Sequence, residues 1–207
     1  MSRGFSLIEL MVVISLFGIS ASLITASYLT FERNARVKNA ATSIKNELRL
    51  VQNKATSGDK GPKDPVSGQT ICASTSTLGG WYIKLDSGAG ANTSFTIGGD
   101  CITGTGEANF TDAQGVPQQV VQLPPDTKIS SIACSGCTSA VSFFFRPLTN
   151  SASFHNGVLA PPDFLDNADT GKLKNNFNNP GAATIVVSNI AGTRTSQIVV
   201  LPTGEVQ

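Results

Sequence analysis

From Leu10 to Phe31 the chain runs for 22 residues without a charged side chain. As a helix rising about 1.5 Å per residue, a run of that length crosses a hydrocarbon core of ~30 Å. Such a segment belongs in lipid, yet its leading edge, "GFSLIELMVVISLFGIS" (residues 4–20), carries the carboxylate of Glu9. A lone ionised group at membrane depth costs several kcal/mol unless something pairs with it, on the order of 3 kcal/mol even by insertion scales. A cleavable secretory signal is the ordinary alternative, and a plain signal-anchor is another. Against the first stand a minimal basic region (Arg3 and the terminal amine), the interruption at Glu9 and the length of the run. Neither alternative accounts for Glu9.

The helical pattern does not end with the apolar run. In "ERNARVKNAATSIKNELRLVQNKA" the residues Val37, Ala40, Ala41, Ile44, Leu48, Val51 and Ala55 recur at the spacing of one helical face. The charges of Glu32, Arg33, Arg36, Lys38, Lys45, Glu47 and Arg49 fall largely elsewhere. No proline interrupts from Phe5 to Lys54, and "TSGDKGPKDP" stops the pattern with Gly and Pro. The spacing therefore predicts one helix of about 50 residues and roughly 75 Å. Its first half (5–31) is fit for a membrane, and its second half (32–55) is amphipathic.

Beyond residue 56 the character changes. Charged residues make up only 14% of the chain, below the ~25% usual for soluble domains. "GGWYIKLD" (79–86) alternates Trp81, Ile83 and Leu85 on one face, and "TSFTIGG", "QQVVQLP", "TKISSIAC" and "AVSFFFRPL" follow as strand candidates. "ATIVVSN" and "SQIVVLPTGEV" flank "IAGTRT" as a closing hairpin, and "DSGAGAN" (86–92) reads as a hairpin tip. The expectation is an α+β fold, in which one antiparallel sheet in a β-rich head (56–207) packs on Val37, Ile44, Leu48 and Val51.

Cys72, Cys101, Cys134 and Cys137 all lie downstream of the apolar run, an even number suited to two disulfides in an oxidising compartment. Four cysteines allow three pairings and the sequence does not choose; Cys134–Cys137 with Cys72–Cys101 is the favoured set. A redox CxxC wants a helix N-terminus, whereas "CSGC" follows the strand-like "KISSIA". A four-thiolate zinc site wants two close pairs, and Cys72 and Cys101 are far apart.

Taken together, Arg3, Gly4, Phe5 and Glu9 followed by the apolar run resemble the class III signal of type IV pilins and type II secretion pseudopilins. The resemblance implies a leader of residues 1–4, cut between Gly4 and Phe5 by a prepilin peptidase, with N-methylation of the new Phe5 amine. It also implies a pilin-like fold, with the retained apolar half forming the core of a filament. There Glu9 would meet the Phe5 amine of a neighbouring subunit and set axial register, since a buried charge is tolerable only when paired. The implied partners are other pilin or pseudopilin subunits, the peptidase, an inner-membrane assembly platform and, before assembly, membrane lipid. The implied location is a single pass through the cytoplasmic membrane with the head outside the cytoplasm. Many major pilins carry a proline in the apolar half; this chain has none there. Gly18 is the helix-weakening residue of the span, and a membrane glycine more often signals close helix packing. The order of the head, with "SFFFRPL" before a final paired ending and a late Gly204, is similar to the GspH/FimU-like branch of minor pseudopilins and minor pilins. A major pilin is the nearest rival.

Little else carries chemistry. His155, in "SFHNG", has no second histidine and reads as a loop residue. No G-x-S-x-G or Ser/His/Asp pattern is present, so no catalysis and no cofactor are expected. Asp163, Asp166 and Asp169 in "DFLDNADTGKLKNNFNN" are weak calcium candidates, because the terminal bidentate carboxylate of an EF-hand is missing. A head that recognises DNA, a surface or a secreted cargo is the second functional class. The net charge of +1 neither supports nor opposes nucleic acid, and Lys172 and Lys174 are the local basic candidates. The third class is a secreted enzyme behind a different kind of leader.

Overall fold

A computed structural model describes residues 6–61, 76–103, 119–148, 152–156 and 181–207. Its first element is helix α1, Leu7–Ser57, 51 residues without a break. The helix stops where the chain reaches Gly58, which takes the left-handed conformation (φ 66°) that glycine adopts without a Cβ penalty. Gly58 N–H donates to the Ala55 carbonyl at 3.0 Å and Asp59 N–H to that of Lys54 at 2.9 Å, satisfying two carbonyls of the last turn.

Eight strands follow among the described residues: β1 Ser76–Asp86, β2 Ser94–Thr103, β3 Gln119–Gln122, β4 Thr127–Ala133, β5 Ala140–Phe145, β6 Ala152–Asn156, β7 Ala183–Asn189 and β8 Thr195–Val200. The single sheet expected from sequence is instead two antiparallel sheets, a larger one ordered β3-β2-β1-β5-β6 and a smaller one ordered β4-β7-β8. The physical reason lies in pairing that is not sequential. β4 leaves its chain neighbours to pair with the closing hairpin β7–β8, so Ile129 faces Val187 and Ile132 faces Ile185. Strand β6 is an addition to the expected set; the alternation of Ala152 and Phe154 was its faint signal.

Both sheets close on the second half of α1. Ala40, Ala41, Ile44, Leu48, Val51 and Ala55 join Trp81, Ile83, Leu85, Phe143, Phe145 and Phe154 from one sheet and Ile129, Ile185, Val187 and Ile198 from the other in one core. Phe143 and Phe154 meet edge-to-face with ring centroids 5.1 Å apart. Trp81 ties the helix end to β1: its indole N–H donates to the Asp59 carbonyl at 2.7 Å, and Lys54 Nζ lies 4.5 Å from the ring centroid. The chain closes as Val206 bridges to Val200, while Arg49 donates to the Val206 carbonyl at 3.2 Å.

The run "SFFF" defied alternation because β5 is buried on both faces. Phe143 and Phe145 face the helix-side core, while Ser142 and Phe144 are buried on the far side with Tyr82. Two glycines make room for those far-side rings. A Cβ on Gly80 would collide with the Phe145 carbonyl oxygen and lie 2.5 Å from Phe144 Cζ; one on Gly98 would lie 2.6 Å from the Tyr82 ring and hydroxyl. Backbone cannot yield as a ring can. Gly80→Ala is therefore expected to cost about 2–3 kcal/mol, and Gly98→Ala about 1 kcal/mol, in chemical denaturation of the full chain in detergent. Equal losses at the two sites would contradict this.

Candidate assembly site in the N-terminal helix

The head covers only the second half of α1. Within the most apolar stretch, of mean hydropathy 2.3, none of the described residues is buried. Leu7 is 75% exposed and Phe17 73%, values that decide the matter: these side chains have no partner within the single chain's described residues. A surface of this size needs lipid or other helices around it. Its polar residues are already prepared for either. Ser15 donates to the Met11 carbonyl, Ser22 to that of Ile19 and Thr25 to that of Ala21, each at 2.8 Å, so these three hydroxyls need no water. A Cβ on Gly18 would meet nothing within 4 Å, which leaves a notch for a second helix rather than one filled from within the chain.

Glu9 sits at the start of this surface, and the structure assigns it a local role that the spacing "SLIE" encodes and the sequence reading passed over. Ser6 is the N-cap. Its hydroxyl accepts from Glu9 N–H at 3.3 Å, while Glu9 Oε2 accepts from Ser6 N–H at 3.3 Å, a reciprocal capping box. Ser6 Oγ also donates to Glu9 Oε2 at 3.3 Å. The carboxylate thus rests at the positive end of the helix, where two otherwise orphaned N–H groups are satisfied. This gives a single subunit a way to hold Glu9 near lipid.

The other expected site residues fall as follows. Cys134 and Cys137 form a disulfide after β4, with Cα atoms 5.2 Å apart. Cys101 lies on β2 opposite Leu78 by backbone register. Gly4, Phe5, Cys72, Asp163, Asp166 and Asp169 lie outside the described residues, as do Lys172 and Lys174. Among the described residues no group of three or more His, Cys, Asp or Glu is placed to hold a metal.

His155 corrects the sequence reading. It is not a loop residue but lies on β6 opposite Ser142, 1% exposed. Burial lowers its pKa to about 4, and the nearby positive charge of Arg146 pushes the same way. The unfolded chain takes up this proton near the ordinary value of 6.5, so between about pH 6.5 and 4 it binds more protons than the folded head. Stability is therefore present above that window, declines as pH falls through it and levels off below. The expected loss is on the order of 3 kcal/mol between pH 7 and 4. His155→Leu should flatten that part of a urea-denaturation profile of the full chain; an unchanged slope would contradict the assignment.

The head of this α+β chain grips one half of the helix and leaves the other, apolar half bare, an arrangement that fits membrane anchoring through that half. Residues 1–25 match the family model described as the prokaryotic N-terminal methylation motif, the class III signal of type IV pilins and pseudopilins. No curated protein and no solved structure matches the chain. The motif and the bare helix support a structural subunit of the type IV pilin or pseudopilin family, anchored in a membrane. The motif implies processing by a prepilin peptidase and contact with other pilins.

Proposed function

We propose that this chain is a minor pilin or pseudopilin of the GspH/FimU-like kind, made with a leader of residues 1–4 and cut between Gly4 and Phe5. It waits in the cytoplasmic membrane with residues 5–31 in lipid and the head outside, then enters a filament helix-first and helps to initiate or tip it. The observation that carries this reading is the bare apolar half of α1, continuous with a half locked into the head core. An unbroken helix transmits the position of the head to the filament core without a hinge. In the filament Glu9 exchanges its capping bonds for the methylated Phe5 amine of a neighbour and fixes the axial step between subunits. The large head, with loops between its strands, leans toward a minor rather than a major subunit.

Fractionation tests the role. Sheared filaments should contain the chain in low proportion to the principal subunit, and its deletion should reduce filament number without altering the principal subunit's processing. A chain that makes up the bulk of the filament would instead be a major pilin.

A further inference from the structure

Immediately beyond the apolar run, α1 passes the turn between β7 and β8. Asn34, Val37 and Lys38 of the helix and Thr193, Arg194 and Thr195 of the turn line a pocket of about 350 Å³. The turn is held by its own bonds: Asn189 Nδ2 donates to Thr193 Oγ1 at 3.0 Å, Arg194 N–H donates to Asn189 Oδ1 at 3.0 Å and Gly192 N–H to the Asn189 carbonyl at 2.9 Å. Arg194 is thereby presented from a fixed frame. Neither Lys38 nor Arg194 has a carboxylate partner among the described residues; the ion pair on this stretch of helix is Arg36 with Glu32.

The height of the pocket gives it meaning. Tyr28 and Phe31, both exposed, end the apolar run with the aromatic residues that favour a membrane–water boundary. Asn34 lies about 4–5 Å and Lys38 about 10 Å further along the axis, within the headgroup layer once a lysine stem leans back toward it. Of the basic residues at this height Lys38 and Arg194 line the pocket, while Arg33 and Arg36 lie on the same stretch of helix, with Arg36 paired to Glu32; from the neighbouring turn Asp126 accepts from Ile190 N–H through its backbone carbonyl at 3.1 Å. The surplus of cations faces the side opposite to the cytoplasm, where the usual bias of basic residues does not place them. Ile190, 57% exposed, adds an apolar residue to the same turn.

We propose that this pocket binds the phosphate of an anionic phospholipid headgroup in the outward-facing leaflet, held by Lys38 and Arg194 with the hydroxyls of Thr193 and Thr195 and the amide of Asn34. The inference rests on the reading that residues 5–31 span the membrane with the head outside. It adds to that reading a lipid class and a place. The bound lipid orients the head against the membrane surface before the subunit is extracted into the filament.

The test is native mass spectrometry of the full-length mature chain in mild detergent, titrated with phosphatidylglycerol or phosphatidylcholine at equal concentration. Phosphatidylglycerol should be retained preferentially, and Lys38→Gln and Arg194→Gln should each lower that preference about fivefold. Both side chains are exposed, so thermal melting of the variants should match the parent. Lys60→Gln, at the far end of the helix, should leave the preference intact, and millimolar inorganic phosphate should not displace the lipid. A loss at Lys60→Gln equal to that at the pocket would reduce the effect to net charge and overturn the site. Displacement by inorganic phosphate would make it a free-anion site, which also overturns the lipid assignment. Failure of Arg194→Gln in filament assembly, with lipid preference unchanged, would assign the pocket to a carboxylate of a neighbouring subunit instead. A chain stripped from membranes by alkaline carbonate would remove the underlying reading and the proposal together. A membrane-integral chain that retains both lipids equally would overturn the proposal alone.

Discussion

Glu9→Gln should nearly abolish incorporation into filaments while leaving the subunit folded and in the membrane. The amide can still accept from Ser6 N–H, because a capping box takes Gln as readily as Glu. What it cannot do is neutralise the amine of a neighbouring Phe5, the partner proposed for Glu9 in the filament. In a filament core almost as dry as lipid, removing one partner of a buried ion pair leaves the other uncompensated, at a cost of about 3–5 kcal/mol. That corresponds to a loss of roughly a hundred- to several-thousand-fold in the incorporated fraction relative to the membrane pool. Ser6→Ala supplies the contrast. It removes the hydroxyl of the capping box seen in the structure, should cost about 1 kcal/mol of helix start, and should reduce incorporation only several-fold. If Glu9→Gln were incorporated as well as the parent, or better than Ser6→Ala, the charge would not matter and Glu9 would be a helix cap and nothing more. Quantitative blotting of sheared filament and membrane fractions reads both variants.

The second large effect lies in the head. Phe143 is fully buried, packs edge-to-face on Phe154 and sits in the core shared by the helix and both sheets. Phe143→Ala should cost about 3–5 kcal/mol, a large share of the ~5–15 kcal/mol that stabilises an ordinary domain. Loss of the near-ultraviolet circular dichroism of Trp81 and Tyr82 at a lower denaturant concentration would report it, in the full chain in detergent. Membrane insertion depends on the other half of α1, so carbonate-resistant membrane association should persist. A variant that unfolded the head and left the membrane together would show that the two halves of the helix are not independent in this sense. A loss under 1 kcal/mol would mean that the edge-to-face pair is not part of a packed core.

The long helix was legible in the sequence because two independent signals agree over its length. Periodicity placed Val37, Ile44, Leu48 and Val51 on one face, and all are buried. Freedom from charge placed 10–31 outside any head, and the described side chains of that span are bare. The hairpin β7–β8 was legible from "IAGTRT", whose turn is short and polar. The partition into two sheets was not. Which strand pairs with which depends on contacts distant in the chain, such as β4 with β7, and no local pattern announces them. Strand β6 escaped because five residues with a histidine and an asparagine at one end look like a loop until Phe154 is seen under Phe143. At the candidate site, Glu9 stood out in the sequence as a charge in an apolar run, but its capping partner was missed. The serine three residues earlier was read as part of a signal rather than as an N-cap. The pocket at Lys38 and Arg194 joins residues more than 150 positions apart and has no sequence signature at all.

Everything proposed for the helix depends on where the mature chain begins. Intact-mass measurement of the protein extracted from membranes should give a chain that begins at Phe5, whose amine carries one methyl group. That result retains the apolar run and places its new amine four residues from Glu9, as assembly through this helix requires. A mature chain that starts near Ala26 or later would mean that the apolar run is a signal core removed on export, and the filament reading would fall with it.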